Sequence, residues 1–175
     1  MTGPEPTASA EPVAVSPSWT VGIATPQDVA GAARGVARLL EELGASPAPV
    51  SPMEEAARAV VHDPSLGSLL VATVTGPNAA GDVIGLLGSS WRTAIHRSGR
   101  YAVIEELWVD PAWRGHAVGR DLVGTLVDEV LPRERIDCVE VGLPRPSFRG
   151  LEATTGFYLT CGFAPVGPRM RRVLS

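Results

Sequence analysis

Hydrophobic residues are spaced in two ways along this chain, and the spacing predicts its elements. Short runs of β-branched, aliphatic and aromatic residues, typical of strands, lie at residues 19–24, 69–75, 83–92, 101–109 and 136–141. Helical spacing is found at residues 29–43, 51–62, 120–130 and 151–161. A further strand is predicted to begin at Phe163, with residues 170–174 as its hairpin partner. This order predicts an α/β domain in which an antiparallel meander leads into a strand–helix unit.

Glycine and capping residues mark where the predicted helices begin and end. Gly44 and Gly162 are predicted to be left-handed residues that end the first and the last helix. Thr25 is predicted to cap the first helix, and Ser51 with Glu54 has the spacing of a capping box. The third helix has a predicted buried face formed by Leu122, Val123, Leu126, Val127 and Val130.

Length and composition limit the class of protein. With 175 residues, of which 45% are hydrophobic, the chain suits one globular domain, which we place at residues 19–175. Residues 1–18 are rich in proline, alanine, serine and threonine and are predicted to be a disordered tail, without the apolar stretch of a secretory signal. The net charge of −4 argues against nucleic acid as a partner, and no apolar run is long enough to span a membrane.

The cysteine and arginine contents suggest a compartment and a source. Cys138 and Cys161 lack the spacing of metal ligands, so we expect free thiols in a cytoplasmic protein that holds no metal. The 15 basic residues are all arginine, which indicates a GC-rich coding genome, and we expect a bacterial source.

The most informative stretch is residues 101–130, where a buried strand, a loop of small residues and a helix follow one another. The first N–H groups of a helix have no acceptor inside it, and the helix dipole makes that end positive. Small residues at this point let a phosphate approach the backbone, and Arg114 and Arg120 flank the loop. The loop is therefore either an anion site, for a pyrophosphate, or an ordinary strand-to-helix turn whose glycines serve geometry alone.

The run Arg114-Gly115-His116-Ala117-Val118-Gly119 resembles the acetyl-coenzyme A loop of the GCN5-related N-acetyltransferases, the GNAT superfamily. Ala117 stands where that family usually has its first motif glycine, and residues 104–111 resemble the family's central strand. The resemblance implies the GNAT fold, a mixed and mostly antiparallel sheet flanked by helices, with acetyl-CoA as co-substrate. It places the coenzyme against Leu107, Trp108, Val109, Arg114, Gly115, His116, Ala117, Val118, Gly119 and Arg120.

The resemblance also implies how the thioester is held. A bulge in the family's central strand would present the Val109 N–H to the thioester carbonyl. The strand at 136–141 would splay from the central strand, and the pantetheine arm would enter the opening between them. The side chain of His116 is expected to face solvent or the nucleotide.

A second resemblance lies at residues 156–163, where many GNAT members carry a helix that ends in a Tyr, three residues and Gly-Phe. The family often has Asn and Ala where this chain has Leu151 and Thr154. A tyrosine hydroxyl is a weak acid, and the resemblance implies that Tyr158 protonates the leaving thiolate. The alternative is that Tyr158 packs in the core with one hydrogen bond.

Glu105 and Glu106 are adjacent acids in an otherwise apolar strand. Because successive strand residues face opposite sides of a sheet, we expect only one of them to face the cleft. Glu105 matches the position that several GNAT members use as a base, and the alternative is an ion pair with an arginine. Either acid would favour a cationic acceptor amine.

Taken with the resemblance, these residues predict an enzyme that transfers an acetyl group from acetyl-CoA to a primary amine of a small molecule. Direct attack by the amine is expected, since neither cysteine lies in a nucleophile motif. The alternatives are transfer to a protein N-terminus or side chain, and a protein that binds acyl-CoA without turnover. No membrane or nucleic-acid partner is expected, a homodimer is possible, and no residue before Arg100 names the acceptor.

Overall fold

The computed structural model describes residues 18–76, 81–97 and 99–167. Its strands are β1 (Ser18–Ile23), β2 (Gly67–Thr75), β3 (Val83–Ala94), β4 (Gly99–Val109) and β5 (Val139–Val141). Its helices are α1 (Val29–Glu42), α2 (Ser51–His62), α3 (Val118–Thr125), α4 (Leu131–Arg133) and α5 (Leu151–Thr160). A π-helical turn, Leu126–Val130, joins α3 to α4, and short 3₁₀ turns lie at Ile95–Arg97 and Pro111–Trp113. The predicted α/β architecture is confirmed.

The five strands form one mixed sheet in the order β1-β2-β3-β4-β5. The first three pairings are antiparallel, as a meander requires, and β4 pairs with β5 in parallel. That parallel pairing covers only residues 102–104 of β4, where Ile104 faces Val141 at the end of β5. Beyond residue 104, β4 stays paired with β3 but has no strand on its other side among the described residues, so β4 and β5 separate there.

Two hydrophobic layers cover the faces of the sheet. One face packs against α3, the π-helical turn and Tyr158 of α5, and it includes Leu70, Leu87 and Ile104. The other face packs against α1 and α2, and it includes Leu86 and Trp108. Helices on both faces bury the strands from two sides, which is why these strands read as continuous apolar runs in the sequence.

A β-bulge in β4 changes the direction of its side chains. Ser89 of β3 pairs with Ile104 and Gly88 pairs with Glu106, so Glu105 is the extra residue without a partner on β3. Beyond the bulge the alternation starts again, and both glutamates line the cavity beneath α1 and α2. The two acids therefore do not simply alternate across the sheet, because alternation holds only for an uninterrupted strand. Of the two, only Glu105 also lines the cleft beside the C-terminal half of β4.

Glycines end α1 and α5 as predicted. Gly44 has φ 82° and Gly162 has φ 84°, the left-handed conformation that a side chain disfavours. After α5, Gly162 N–H donates to Leu159 O at 3.1 Å and Phe163 N–H donates to Tyr158 O at 3.0 Å. These two bonds form a Schellman motif, and they fix the chain direction immediately after Tyr158.

The predicted caps at the starts of α1 and α2 were wrong. The residue that precedes α1 is Asp28, and the Thr25 hydroxyl donates to the Asp28 carboxylate at 2.7 Å instead of accepting from the helix. Ser51 is the first residue of α2, and no side chain caps that helix. Local residue type favoured a cap in each case, but the hydroxyls lie one residue inside the helix or one turn before it.

Several predicted boundaries also differ. β5 is shorter than the predicted strand at 136–141, and residues 163–167 form no strand although one was predicted to begin at Phe163. Val127 is 38% exposed, because the π-helical turn rotates it away from the buried face. Ser18, predicted to be in the tail, is the first residue of β1. The predicted tail at 1–17 and the predicted strand at 170–174 lie outside the described residues.

Candidate active site

The separation of β4 from β5 opens a cleft of about 730 Å³. Its walls are the C-terminal half of β4, the loop that precedes α3, and α5. The loop after β5 and the end of α1 close it further, through Gly142, Pro144, Phe148, Leu39 and Leu43. A space of this size matches ligand pockets of about 300–1,000 Å³.

The loop before α3 has the geometry of an anion site. Gly115 has φ 82° and Ala117, the residue before the helix, has φ 71°. The helix starts at Val118, slightly earlier than predicted. Asp121 N–H donates to Ala117 O at 3.0 Å, so the three preceding N–H groups, those of residues 118–120, have no acceptor inside the helix. They lie at the wall of the cleft.

Ala117 holds a conformation that suits glycine better. A left-handed residue with a Cβ costs about 1–2 kcal/mol. This strain coincides with the position where the resembled motif has its first glycine. Alanine therefore keeps the turn at an energetic cost, and its methyl group is small enough to leave the turn open to the cleft, which Ala117 lines.

The two flanking arginines have different surroundings. Arg114 donates through Nη2 to both oxygens of Glu42, at 2.7 and 2.8 Å, and through Nε to Val109 O at 3.0 Å. It thus ties the loop to α1 and β4. Arg120 lines the cleft and forms no ion pair or hydrogen bond with any side chain in the described parts of the chain. Of the two, Arg120 is free to meet an anion.

His116 lies apart from the cleft lining. Its Nδ1 is 3.1 Å from Arg114 O, and its ring packs edge-on against Trp113, with centroids 6.2 Å apart. These contacts hold the His116 ring in its orientation without a ligand. The prediction that His116 faces solvent or the nucleotide therefore stays a prediction, while the other loop residues of the predicted cofactor set line the cleft.

Backbone groups of β4 point into the cleft. Asp110 N–H donates to Ile84 O on β3 at 2.8 Å. Because successive residues of a strand direct their backbone groups to opposite sides, the N–H and C=O of Val109 point away from β3, to the side where β5 has ended. The same alternation turns the backbone of Leu107 that way. Val109 pairs regularly with Gly85, so the expected bulge at Val109 is absent, and the bulge lies four residues earlier. Trp108 lines the cleft but is buried at 3% exposure.

Tyr158 closes the inner end of the cleft. Its ring packs edge-on against Phe157 and Phe163, at centroid distances of 5.2 and 5.3 Å, and the residue is 7% exposed. Burial raises the pKa of the Tyr158 phenol well above its usual range, and Cys161 raises it further. The phenol forms no hydrogen bond within the described residues. The alternative of a core tyrosine with one hydrogen bond therefore agrees with the packing of the ring but not with the hydrogen bonding of the hydroxyl.

The two glutamates of β4 have different environments. Glu105 Oε1 accepts from Arg92 Nη2 at 2.6 Å and from Ser90 Oγ at 2.7 Å, which realises the predicted ion pair. Both contacts end on Oε1 and leave Oε2 open. Burial raises the pKa of the Glu106 carboxyl, and the Glu105 carboxylate raises it further. Glu105 lines the main cleft and also the cavity beneath α1 and α2, so it stands where the two meet.

Residues 34–163 match the model of the "Acetyltransferase (GNAT) family". The chain belongs to the GNAT acetyltransferase family. It is 32% identical, over 97% of its length and 98% of the relative's, to glucosamine 6-phosphate N-acetyltransferase 1 of Oryza sativa subsp. japonica.

Solved structures share the fold of this GNAT acetyltransferase. Aminoglycoside N-acetyltransferase AAC(6')-Iy in complex with CoA has a TM-score of 0.74 at 12% identity, with 93% of this chain and 98% of that chain covered. Glucosamine-6-phosphate N-acetyltransferase from Arabidopsis thaliana has a TM-score of 0.63 at 16% identity, with 90% and 99% covered. The prediction of a GNAT fold and of an acetyltransferase is confirmed.

Some residues of the acetyltransferase's cleft were missed by sequence reasoning. Phe148 and Phe157 are aromatic walls, and Glu42 of α1 anchors Arg114. Phe157 directly precedes the tyrosine of the second motif, so its position in the sequence could have indicated a place in the cleft. Nothing in the sequence indicated Glu42, because its partner Arg114 lies 72 positions away.

Two further properties concern metals and membranes. Among residues 18–76, 81–97 and 99–167, no group of three or more His, Cys, Asp or Glu side chains is arranged to hold a metal ion. Over the same ranges, no helix has both the length and the apolar character needed to cross a membrane.

Proposed function

We propose that this acetyltransferase moves an acetyl group from acetyl-CoA to the primary amine of a small molecule by direct attack. The observation that carries the proposal is the continuous cleft that runs from the free N–H groups at the start of α3, along the side of β4 that faces away from β3, to Tyr158. A pyrophosphate, a pantetheine arm and a thioester follow one another in the same order in acetyl-CoA.

Each part of the coenzyme has a matching group in the cleft. The N–H groups of residues 118–120 and the Arg120 guanidinium suit the pyrophosphate, because both supply positive charge and donors. The backbone of Leu107 and Val109 suits the pantetheine amides, in the manner of an added strand. The resemblance assigns the Val109 N–H to the thioester carbonyl, and its direction away from β3 supports that assignment.

The transfer needs a base, a polarised carbonyl and an acid. The neutral amine attacks the carbonyl carbon, the C–S bond breaks, and the thiolate takes a proton from Tyr158 while the amine gives up one. The raised pKa keeps the Tyr158 phenol protonated and available as a donor, and it also makes the phenol a weaker acid than a free tyrosine. Glu105 is the candidate base, because its open Oε2 lies where donor and acceptor spaces meet.

Two observations favour a small acceptor. The rice relative is named for a small amine, glucosamine 6-phosphate, and it aligns with nearly the whole chain. The cavity next to Glu105, beneath α1 and α2, measures about 270 Å³, which is below the usual range of about 300–1,000 Å³ for ligand pockets. Transfer to a protein N-terminus stays the second candidate, and coenzyme binding without turnover the third.

Release of free thiol tests this function. Purified protein is mixed with acetyl-CoA and a panel of small primary amines, and the CoA thiol is measured with a chromogenic disulfide. We expect amine-dependent thiol release with at least one small amine. Release only with peptides would favour the second candidate, and tight acetyl-CoA binding without release on either panel would favour the third.

A further inference from the structure

The cavity beneath α1 and α2 has mostly apolar walls. It lies between these helices and β2, β3 and β4, and it is lined on the helix side by Ala32, Val36, Met53, Ala57 and Val60. It meets the main cleft at Glu105. A group that reaches the thioester from this side must therefore pass the bulge of β4 and lie against apolar side chains.

The charged side chains among the described lining residues of the cavity are all negative. Glu105 and Glu106 are the ionisable side chains among its described lining residues, and the chain contains no lysine. Arg92 already neutralises Glu105 from outside the cavity. Glu106 has no ion pair or hydrogen bond with any described residue, so one carboxylate is left without a counter-charge.

The bulge and a glycine together make room for this carboxylate. Because Glu105 is the extra residue, Glu106 is turned to the same face of the sheet as the cavity. On the paired strand, a Cβ at Gly88 would collide with Glu106 Oε2. The absence of a side chain at Gly88 thus leaves room for the Glu106 carboxylate beside β3, in the lining of the cavity.

We propose that this cavity takes a compact, unphosphorylated primary ammonium with Glu106 as its counter-charge, and that it rejects phosphorylated amino sugars. The inference rests on the proposed function and names its acceptor class. A phosphate here would meet the Glu106 carboxylate and no arginine of the described lining, whereas an ammonium gains a charged acceptor and its alkyl body gains apolar contact. The acceptor class thus differs from that named for the rice relative.

Matched acceptors test the rejection of phosphate. Glucosamine with glucosamine 6-phosphate, and ethanolamine with phosphoethanolamine, differ within each pair only in the phosphate; butylamine and 2-phenylethylamine probe the apolar walls. Whichever acceptors turn over, we expect kcat/KM for unphosphorylated amines to exceed that for phosphorylated ones at least about tenfold, as the loss of a charged hydrogen bond suggests. A phosphorylated member that is used equally well or better overturns the inference.

Substitution of the carboxylate tests its role. We expect Glu106→Gln to raise the KM of the preferred amine about tenfold or more, with the KM of acetyl-CoA changed less than about twofold. Glu55→Gln on α2 removes the same charge from an exposed position outside the cavity and is the matched control. An unchanged amine KM in Glu106→Gln, or the same change in both variants, contradicts the inference.

Failure here and failure of the proposed function give different results. Protein that does not bind acetyl-CoA at all contradicts the proposed function itself. Protein that binds acetyl-CoA and prefers glucosamine 6-phosphate, or that acetylates only peptides, overturns the acceptor class while the acetyltransferase assignment stands.

Discussion

At the scale of single residues, two side chains of the proposed site lack partners in the described structure. Tyr158 is buried between two phenylalanine rings with no hydrogen bond to its phenol, and Glu106 is half-buried with no counter-charge. A buried polar group without a partner costs stability, so both residues call for a functional explanation. Sequence analysis singled out both residues as candidates. Only the structure shows that no other described residue forms a hydrogen bond or an ion pair with either side chain.

Tyr158→Phe separates the acid from the ring packing. The substitution keeps the ring between Phe157 and Phe163, so we expect the free energy of unfolding to change by less than about 1 kcal/mol. We expect kcat to fall about 100-fold or more, the usual contribution of a general acid, while the Kd of CoA stays within about twofold. Tyr101→Phe removes the other tyrosine hydroxyl, which lies outside the cleft lining but next to Arg92, and should lower kcat far less. Equal kcat in Tyr158→Phe and wild type would remove the phenol as the acid.

Glu106→Gln should also change how stability depends on pH. The folded state raises the pKa of the Glu106 carboxyl, so folding favours its protonated form. The contribution of Glu106 to the stability of the wild type should therefore decrease as the pH rises from below the unfolded-state pKa, about 4.3, through the higher folded-state pKa. Because glutamine carries no charge, the variant should be more stable than wild type at pH 7, with the difference shrinking toward pH 4.

Urea unfolding at both pH values measures this difference. Glu55→Gln, with its exposed carboxylate, serves again as the control and should show no comparable gain. A variant that is less stable than wild type at pH 7 would indicate that Glu106 is a stabilising group with a partner, which contradicts its assignment as an open counter-charge.

At the scale of elements, the sequence predicted most strands and helices but not the interruptions that shape the site. Apolar runs predicted β1–β4, and Gly44 and Gly162 predicted two helix ends, because these signals are local. The bulge at Glu105 was missed since it depends on the register between β3 and β4, which no single segment encodes. The π-helical turn at Leu126–Val130 was missed for the same reason, as its sequence reads as ordinary helix.

The start of α3 offers a test of the loop. Arg120 is unpaired among the described residues and lines the cleft, so we expect Arg120→Ala to raise the Kd of CoA about tenfold at low salt. The effect should shrink in about 0.5–1 M salt, because screening weakens the contact between two exposed charges. Isothermal titration calorimetry at two salt concentrations measures both quantities.

Arg133→Ala is the matched control for this loss. Arg133 lies at the far end of the same helical run, is exposed, and pairs only loosely with Glu129 at 3.3 Å. Its removal changes the net charge equally but should leave the Kd of CoA unchanged. Equal losses in the two variants would mean that the protein's overall charge, and not the position of Arg120, attracts the coenzyme.

At the scale of the whole molecule, the site exists because one sheet changes from antiparallel to parallel pairing and then opens. The short pairing of β4 with β5 holds the two strands together at residues 102–104 only. From there the separation exposes backbone on one side of β4, while the bulge exposes two carboxylates beneath α1 and α2. The main cleft and the cavity beneath α1 and α2, which are the proposed donor and acceptor spaces, thus lie on either side of one strand and share Glu105.

The sequence named more residues of the main cleft than of the cavity beneath α1 and α2. The loop at 114–119 and the tyrosine helix have motifs, so several residues of the main cleft were named in advance, while His116 lies outside its lining and Phe148 and Phe157 were missed. The acceptor cavity is built from small apolar residues of α1 and α2, such as Ala32 and Ala57, which occur in any helix. Only the structure shows that these residues line a cavity together with Glu105 and Glu106.

Calorimetric titration with acetyl-CoA tests the central claim most directly, namely that the opening between β4 and β5 holds the coenzyme. We expect one site per chain in the wild type and in Gly124→Leu, because Gly124 lies outside the cleft lining and a Cβ there has only Asp128 within 4 Å. We expect loss of binding in folded Gly119→Leu, because a Cβ there already lies 3.4 Å from the Phe157 ring and 3.6 Å from Val109, and a larger chain fills the cleft. No heat with the wild type, or undiminished binding in Gly119→Leu, would contradict the account.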